Sequence, residues 1–435
     1  MISLFPLILK IIYCILVIFL KNFPYLKKEI YFFKRLEERQ TMERIYLDNA
    51  ATSFPKPPEV VEAVARFMTS CGANTGRGSY RSAEEAEELV YCTRAKINDL
   101  FSGDHPRNVV FSSGITMSLN QLLYGILKPG DHIIVSSFEH NAVMRPLTLL
   151  KEKRNVSFSL IPCNEEGLIE RGTVEQSCLP LLKPETRAVM INHAGNVFGN
   201  IQPLEEIGRF CRKYGLLFFA DTAQSAGVLE FDMQKMNLDA LAFTGHKGLL
   251  GPQGIGGLVL RQRAAEMISP LIAGGTGSQS DLEEMPAFLP DRLEAGTLNL
   301  PGIAGLSVAL SFLDKTGISK IRAHEQALTR IFLKELSPLA EKGLLRIPGP
   351  ASVDARVGVV SVVTPGIDEA LAAALLNERY GIEVRVGLHC APRAHQAMGT
   401  FPGGTIRFSF GCFTKEEEVR LAAKALGEIL TQPLE

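Results

Sequence analysis

The sequence predicts an α/β protein: a large, mostly parallel mixed sheet flanked by helices, followed by a smaller C-terminal α+β unit. Three observations carry this. Apolar runs of strand length recur between residues 108 and 243 with helical patterns between several of them, the spacing of a parallel sheet. Polar residues able to do chemistry follow the ends of those runs, where an open α/β sheet places its ligand. Near Pro301 the pattern changes to two long helices, then short strands alternating with helices.

Residues 2–20 form an apolar run whose lone charge is Lys10. As a helix it would span roughly 28 Å at about 1.5 Å per residue, near the thickness of a bilayer core. Lys21, Lys27, Lys28, Lys34, Arg35 and Arg39 follow, a basic flank that would keep the rest of the chain in the cytoplasm. The run lacks a basic start and a small-residue cleavage site, so it is a poor signal peptide. The favoured reading starts translation at Met42, just before the globular pattern begins, and leaves 1–41 as an extension. Membrane contact is expected only if 1–41 is made. The chain then divides into a large unit, 42–304, and a small unit, 305–435, with the N-terminal strand segment near 42–60 joining them.

Within that frame a short strand ends at Asp48, a proline-marked turn follows, and an amphipathic helix starts near Pro58. Residues 72–78 read as a flexible glycine-rich loop and 83–101 as a charged helix. Strands are expected at 108–112, 131–136, 156–161, 188–192, 216–220 and 238–243, with 248–257 as a glycine-rich turn. Helices are expected at 302–313, 321–336, 367–380 and 415–430, and strands at 357–364, 382–386 and 404–409.

Composition excludes some functions. A 46% hydrophobic, 21% charged balance is that of an ordinary globular chain, and a net charge of −1 offers no basic surface to nucleic acid. The eight cysteines, at 14, 71, 92, 163, 178, 211, 390 and 412, form no CxxC pair. That argues against zinc and disulfides and for a reducing, cytoplasmic setting.

The candidate chemistry starts at Lys247, which follows the buried run 238–243 within Thr244-Gly245-His246-Lys247. An amine at the mouth of a buried strand loses solvation, which lowers its pKa and makes it nucleophilic. Thr244 and His246 offer donors for a phosphate beside it, the set a pyridoxal phosphate site needs. Asp221 ends the run 216–220; a carboxylate there wants a cation, and a protonated pyridine nitrogen is one. As a purely structural residue, Asp221 would instead cap the next helix. Gln224, about one helical turn on, reaches toward the ring's phenolic oxygen, or is a surface amide. His140 suits stacking on the ring, though a lone histidine is more often structural. Ser113-Gly114-Ile115-Thr116 opens a helix, whose free amides and dipole favour phosphate. Cys390 stands in Gly387-Leu388-His389-Cys390-Ala391-Pro392, an exposed loop with Arg385 and Arg393 nearby to favour thiolate. Arg407 alternates with apolar neighbours and wants a carboxylate partner, either a substrate or an internal Asp or Glu.

These motifs together resemble the class-V aminotransferases, pyridoxal phosphate enzymes of fold type I, and within them the cysteine desulfurases. The carrying stretches are YLDNAAT at 46–52, SGITMSLN at 113–120, EHN at 139–141 and HAGNVFG at 193–199. ADTAQSAG at 220–227, TGHKGLLGPQG at 244–254, EAGTLN at 294–299, HCA at 389–391 and IRFS at 406–409 complete the set. The resemblance implies that Lys247 forms the Schiff base, Asp221 pairs with the pyridinium, Gln224 bonds the phenolic oxygen and His140 stacks on the ring. It implies that Ile115 (through its backbone), Thr116, Thr244 and His246 hold the phosphate. Thr297 would reach the phosphate site of the neighbouring subunit of a homodimer. Asn196 and Arg407 would anchor the carboxylate of L-cysteine, and Cys390 would take the sulfur as a persulfide. The short loop around Cys390 resembles the branch that hands sulfur to a dedicated acceptor protein. Tyr80, where that branch usually carries histidine, and residues 393–403 depart from the pattern and bear on substrate preference. The alternatives are selenocysteine lyase, another class-V lyase or aminotransferase, and, from a different class, a catalytically silent anchored adaptor.

Overall fold

The computed structural model describes residues 44–76 and 78–431; the 2–20 run and the proposed start at Met42 lie outside the described residues. After the short strand β1 (Ile45–Tyr46) come seven strands of one sheet. They are β2 (Val109–Ser112), β3 (His132–Ser136), β4 (Ser157–Ile161), β5 (Thr186–Asn192), β6 (Leu217–Asp221), β7 (Ala240–Thr244) and β8 (Gly256–Leu260). Their order is β2-β8-β7-β6-β5-β3-β4, with β8 antiparallel to both neighbours and every other pair parallel.

The pattern of the central strands explains why they lie there. Every residue of β6 and β7 is buried, as expected for strands covered on both faces. Side chains alternate across the sheet: Phe218, Ala220, Leu241 and Phe243 enter one core, whereas Leu217, Phe219, Ala240 and Ala242 enter the other. Each such phenylalanine contributes about 1.5–3 kcal/mol of burial. β8 has no counterpart among the expected strands. It opens with Gly256 and Gly257, inside the stretch read as a turn, and only three apolar residues remain to signal it. Those glycines belong to a strand because β8 lies tight against its neighbours; a Cβ on Gly257 would collide with the Phe243 ring and the Val110 carbonyl.

A second set of strands follows: β9 (Val359–Val362), β10 (Ile382–Glu383), β11 (Arg385–Gly387) and β12 (Thr405–Ser409). β11, β12 and β9 form an antiparallel sheet in that order, and β10 pairs in parallel with β1. The single strand expected at 382–386 is thus two, broken at Val384 because its halves serve different sheets. Ile45 and Leu47 pack with Leu328, Phe332, Val360, Phe408 and Leu426 in a third core. The helix Leu300–Thr316 runs through position 304 and puts Leu300, Ile303, Leu306 and Leu310 into the core of the large sheet. The next helix, Ile318–Glu341, sends Ile321 to that core and Leu328 and Phe332 to the third.

Candidate active site

The carboxyl ends of β6 and β7 lie side by side; Asp221 is the last residue of β6 and Lys247 lies in the turn after β7. Gly227 and Gly248 let the turns after the two strands touch: a Cβ on Gly248 would land on the Ala226 carbonyl, and one on Gly227 on the Gly248 carbonyl. Gly227 also has φ +81°, where a side chain is strained. Asp221 is buried, and burial raises its pKa, opposed by a hydrogen bond from the Ala223 amide and by the charge of Lys247. Lys247 is half-buried, and burial pushes its pKa down to about 8, opposed first by Asp221. Each side chain therefore lies within electrostatic range of the other.

Around this pair stands a cradle for an anion. The helix Ile115–Ile126 starts at Gly114 with no side chain capping its first amides, and Thr116 is exposed in its first turn. Gly114 lies beside the Thr244 hydroxyl at the end of β7. His246 Nδ1 and Ser225 Oγ are buried without a hydrogen-bond partner. A helix N-terminus, two hydroxyls and unpaired polar atoms fit a phosphate. His140 is half-buried, and its Nδ1 accepts from the Ala142 amide, so the neutral ring carries its proton on Nε2. Burial, then Lys247, Arg407 and Arg145, push its pKa down to about 4. It is a neutral ring suited to stacking. These residues fit pyridoxal phosphate: a buried amine, a carboxylate in need of a cation, a flat neutral ring and a phosphate cradle.

The third part of the site is polar and crowded. Arg407, on β12, is buried; its Nη2 donates to Asp48 Oδ1 at 2.8 Å and its Nη1 to the Asn196 carbonyl at 2.9 Å, while Nε has no partner. Of the two partners the sequence left open, an internal aspartate is therefore present. Asp48 is shared, since Arg385 donates to it through Nε and Nη2 at 2.7–3.2 Å. Arg385 thus contacts Asp48 and stays within electrostatic range of Cys390, and Arg393 lies over the Phe158 ring at 5.5 Å. The Asn196 amide donates to the His389 carbonyl at 2.7 Å, leaving its Oδ1 buried and unpartnered. Cys390 is exposed, and its carbonyl accepts from the Asn141 amide at 2.8 Å, beside His140.

Gln224 is buried and donates to the Ala50 carbonyl at 2.8 Å. Thr297 is exposed and lines a cavity of about 230 Å³ with Ser112, Ser113 and Met117, at the mouth of the phosphate cradle. Its loop is anchored by Glu294, which is ion-paired with Arg94 at 2.6 Å and accepts from the Phe111 amide. Asp48, Glu139 and Glu294 lie inside the YLDNAAT, EHN and EAGTLN stretches, but no local pattern marked them as charged supports of the site. Glu139 is buried, accepts from Ser136 and from the Asn192 amide, and is pushed up to about 8 by burial. The available signal was a charged residue inside an apolar or small-residue stretch.

A family model, Aminotransferase class-V, matches residues 45–421, and the chain belongs to that family. Within it the chain is similar to cysteine desulfurases. It is 32% identical to a probable cysteine desulfurase of Pyrococcus abyssi over 90% of this chain and 95% of that one. It is 31% identical to another from Methanothermobacter thermautotrophicus, over 89% of this chain and 95% of that protein. The apo cysteine desulfurase of Thermococcus onnurineus NA1 superposes with a TM-score of 0.82 at 30% identity, covering 90% and 97% of the two chains. The Escherichia coli cysteine desulfurase CsdA follows at 0.78 and 27%, covering 91% and 98%. Among the described residues no helix is long and apolar enough to cross a membrane, and no cluster suits a metal ion.

Proposed function

We propose that this chain is a cysteine desulfurase: L-cysteine and the Cys390 thiol become L-alanine and a Cys390 persulfide. In that balance the substrate's carbon–sulfur bond breaks, a sulfur–sulfur bond forms on Cys390, and the substrate's β-carbon gains a proton. The observation that supports this best is the meeting of the Lys247–Asp221 pair, both partners desolvated, with an exposed cysteine loop tied to the same site through Asn141 and Asn196. Bound pyridoxal phosphate supplies an electron sink for the substrate's α-carbon.

The side chains do the rest. Lys247 would hold the aldehyde and would carry the α-proton; in the cofactor-free chain its amine has a pKa of about 8, so both of its forms are accessible near neutral pH. Asp221 would hold negative charge for the ring nitrogen, Gln224 would hold the phenolic oxygen and His140 would cover the ring. The Ile115 amide, Thr116, Thr244 and His246 would take the phosphate. Arg407, whose Nε has no protein partner, would hold the substrate carboxylate together with Asn196.

The proposal extends to a homodimer in which Thr297 serves the partner's phosphate, to a cytoplasmic setting, and to a protein acceptor for the sulfur. The small unit, expected from residue 305, is proposed instead to begin inside the helix Ile318–Glu341, between Ile321 and Leu328, where its packing changes core. The test is alanine release from L-cysteine by protein loaded with pyridoxal phosphate under excess thiol. Steady alanine formation is the expected result; its absence contradicts the reading.

A further inference from the structure

One carbonyl oxygen in the molecule carries an unusual load. The His246 carbonyl, in the peptide that leads into Lys247, accepts from the Ser53 amide at 3.0 Å, the Thr52 hydroxyl at 3.1 Å and the Ser53 hydroxyl at 3.2 Å. It also accepts from the Lys56 ammonium at 2.8 Å. A carbonyl has two lone pairs, so the neutral donors already satisfy it. What Lys56 adds is a charge at a fixed place.

Lys56 is a cation without a counter-ion among the described residues. It is half-buried, its Nζ donates to Ser53 Oγ at 2.7 Å and to the His246 carbonyl, and no carboxylate among the described residues pairs with it. Burial pushes its pKa down to about 8. A cation held away from water without a counter-ion costs free energy, and such positions concentrate at functional sites. The segment that carries it touches the rest of the site too. Asp48 holds Arg407, the Ala50 carbonyl accepts from Gln224, and the Ala50 amide donates to the Ser409 hydroxyl.

We propose that Lys56 is a positioning residue for Lys247: together with Thr52 and Ser53 it clamps the His246 carbonyl and so fixes the peptide from which the Lys247 side chain departs. A displacement of about 1 Å at a reacting group can lower turnover on the order of 100-fold, so the clamp matters more than its bond energy. Its cationic charge also helps keep His246 neutral, after burial and Lys247. The inference rests on Lys247 being the cofactor lysine and is independent of which substrate the enzyme takes.

The test compares K56M, K56Q and K56R with the wild type, each loaded with pyridoxal phosphate and checked by thermal unfolding. Two quantities are read: steady-state constants with L-cysteine, and the pH midpoint of the bound cofactor's visible spectrum. K56M and K56Q are expected to lower kcat by roughly 10–100-fold with KM changed less than about threefold. Both are expected to shift the spectral midpoint by about half a unit or more, because the Lys247 amine is no longer held in place against Asp221 and Arg407, whose charges act on it. K56R is expected to restore both values nearly to wild type. Unchanged kcat and midpoint in K56M, or losses that follow the unfolding temperature and are not rescued in K56R, overturn the inference. Wild-type protein that takes up no pyridoxal phosphate overturns this inference and the proposed cofactor chemistry together. Cofactor uptake with no alanine formed overturns only the desulfurase reading, because the spectral midpoint still reports on Lys56.

Discussion

Lys247 and Cys390 are the two side chains proposed to react, and the fold holds them in opposite ways. Lys247 follows a wholly buried strand, in a turn wedged against the turn after β6, and its amine is tuned by loss of water. Cys390 stands on an exposed loop where two successive residues, His389 at φ 48° and Cys390 at φ 57°, adopt the left-handed conformation. Side chains there are strained by roughly 1–3 kcal/mol each. Part of what holds that loop is hydrogen bonding to its own backbone carbonyls, from the Asn196 amide and the Asn141 main chain. The difference follows from the two tasks. An amine must be dry to be nucleophilic at neutral pH, whereas a thiol that passes sulfur onward must meet another molecule.

The largest effect should come from the buried side. K247A is expected to remove the yellow, borohydride-sensitive chromophore and to lower turnover by about 10⁴-fold, because both the imine-forming amine and the proton carrier are lost. On the exposed side, C390S should leave that chromophore intact while lowering alanine formation from cysteine by about 100-fold or more. If C390S also loses the chromophore, the two regions are not separable in this way. D221N should fall between the two regions in kind, with weaker cofactor retention and turnover down by roughly 10–100-fold, read by spectroscopy and alanine assay. N196A should free the Cys390 loop at the His389 carbonyl and lower kcat with L-cysteine by about tenfold, with the chromophore unchanged.

The smallest effect concerns stability. In cofactor-free protein Lys247 titrates at about 8, against 10.5 for the free side chain. Between those values the unfolded chain binds more protons than the folded one, so stability rises with pH through that window. Below pH 8 the full penalty is present. Cofactor-free K247M should therefore melt a few degrees above cofactor-free wild type at pH 7, with the gap shrinking as pH rises from 8 toward 10.5. A gap that does not change with pH would show that lost contacts, not the buried charge, set it.

The same contrast explains what could be read from the sequence. The buried side was legible: 216–220 and 238–243 are unbroken apolar runs, observed as Leu217–Asp221 and Ala240–Thr244, so residues at their ends were visible as the site. The helix start at Ile115 was legible for the same reason, from the strand before it. β8 was not, because its first two residues are glycines chosen for close approach rather than for strand propensity. On the other side the partner of Arg407 stayed open, since Asp48 lies 359 positions away in the chain and no local pattern joins them. Arg385 was expected near the thiol; its donors go to Asp48 for the same long-range reason. Lys56 gave no signal, because a lysine before a proline looks like any solvated loop residue.

The most direct test of the account is a single turnover without reductant. Cofactor-loaded protein is mixed with less than one equivalent of L-cysteine, alanine is measured, and the digested protein is searched by mass spectrometry for the added sulfur. The account predicts one sulfur atom on the peptide carrying Cys390 for each alanine released. Alanine released at the wild-type rate by C390S, or a sulfur found on any of the other cysteines with Cys390 unmodified, would contradict it.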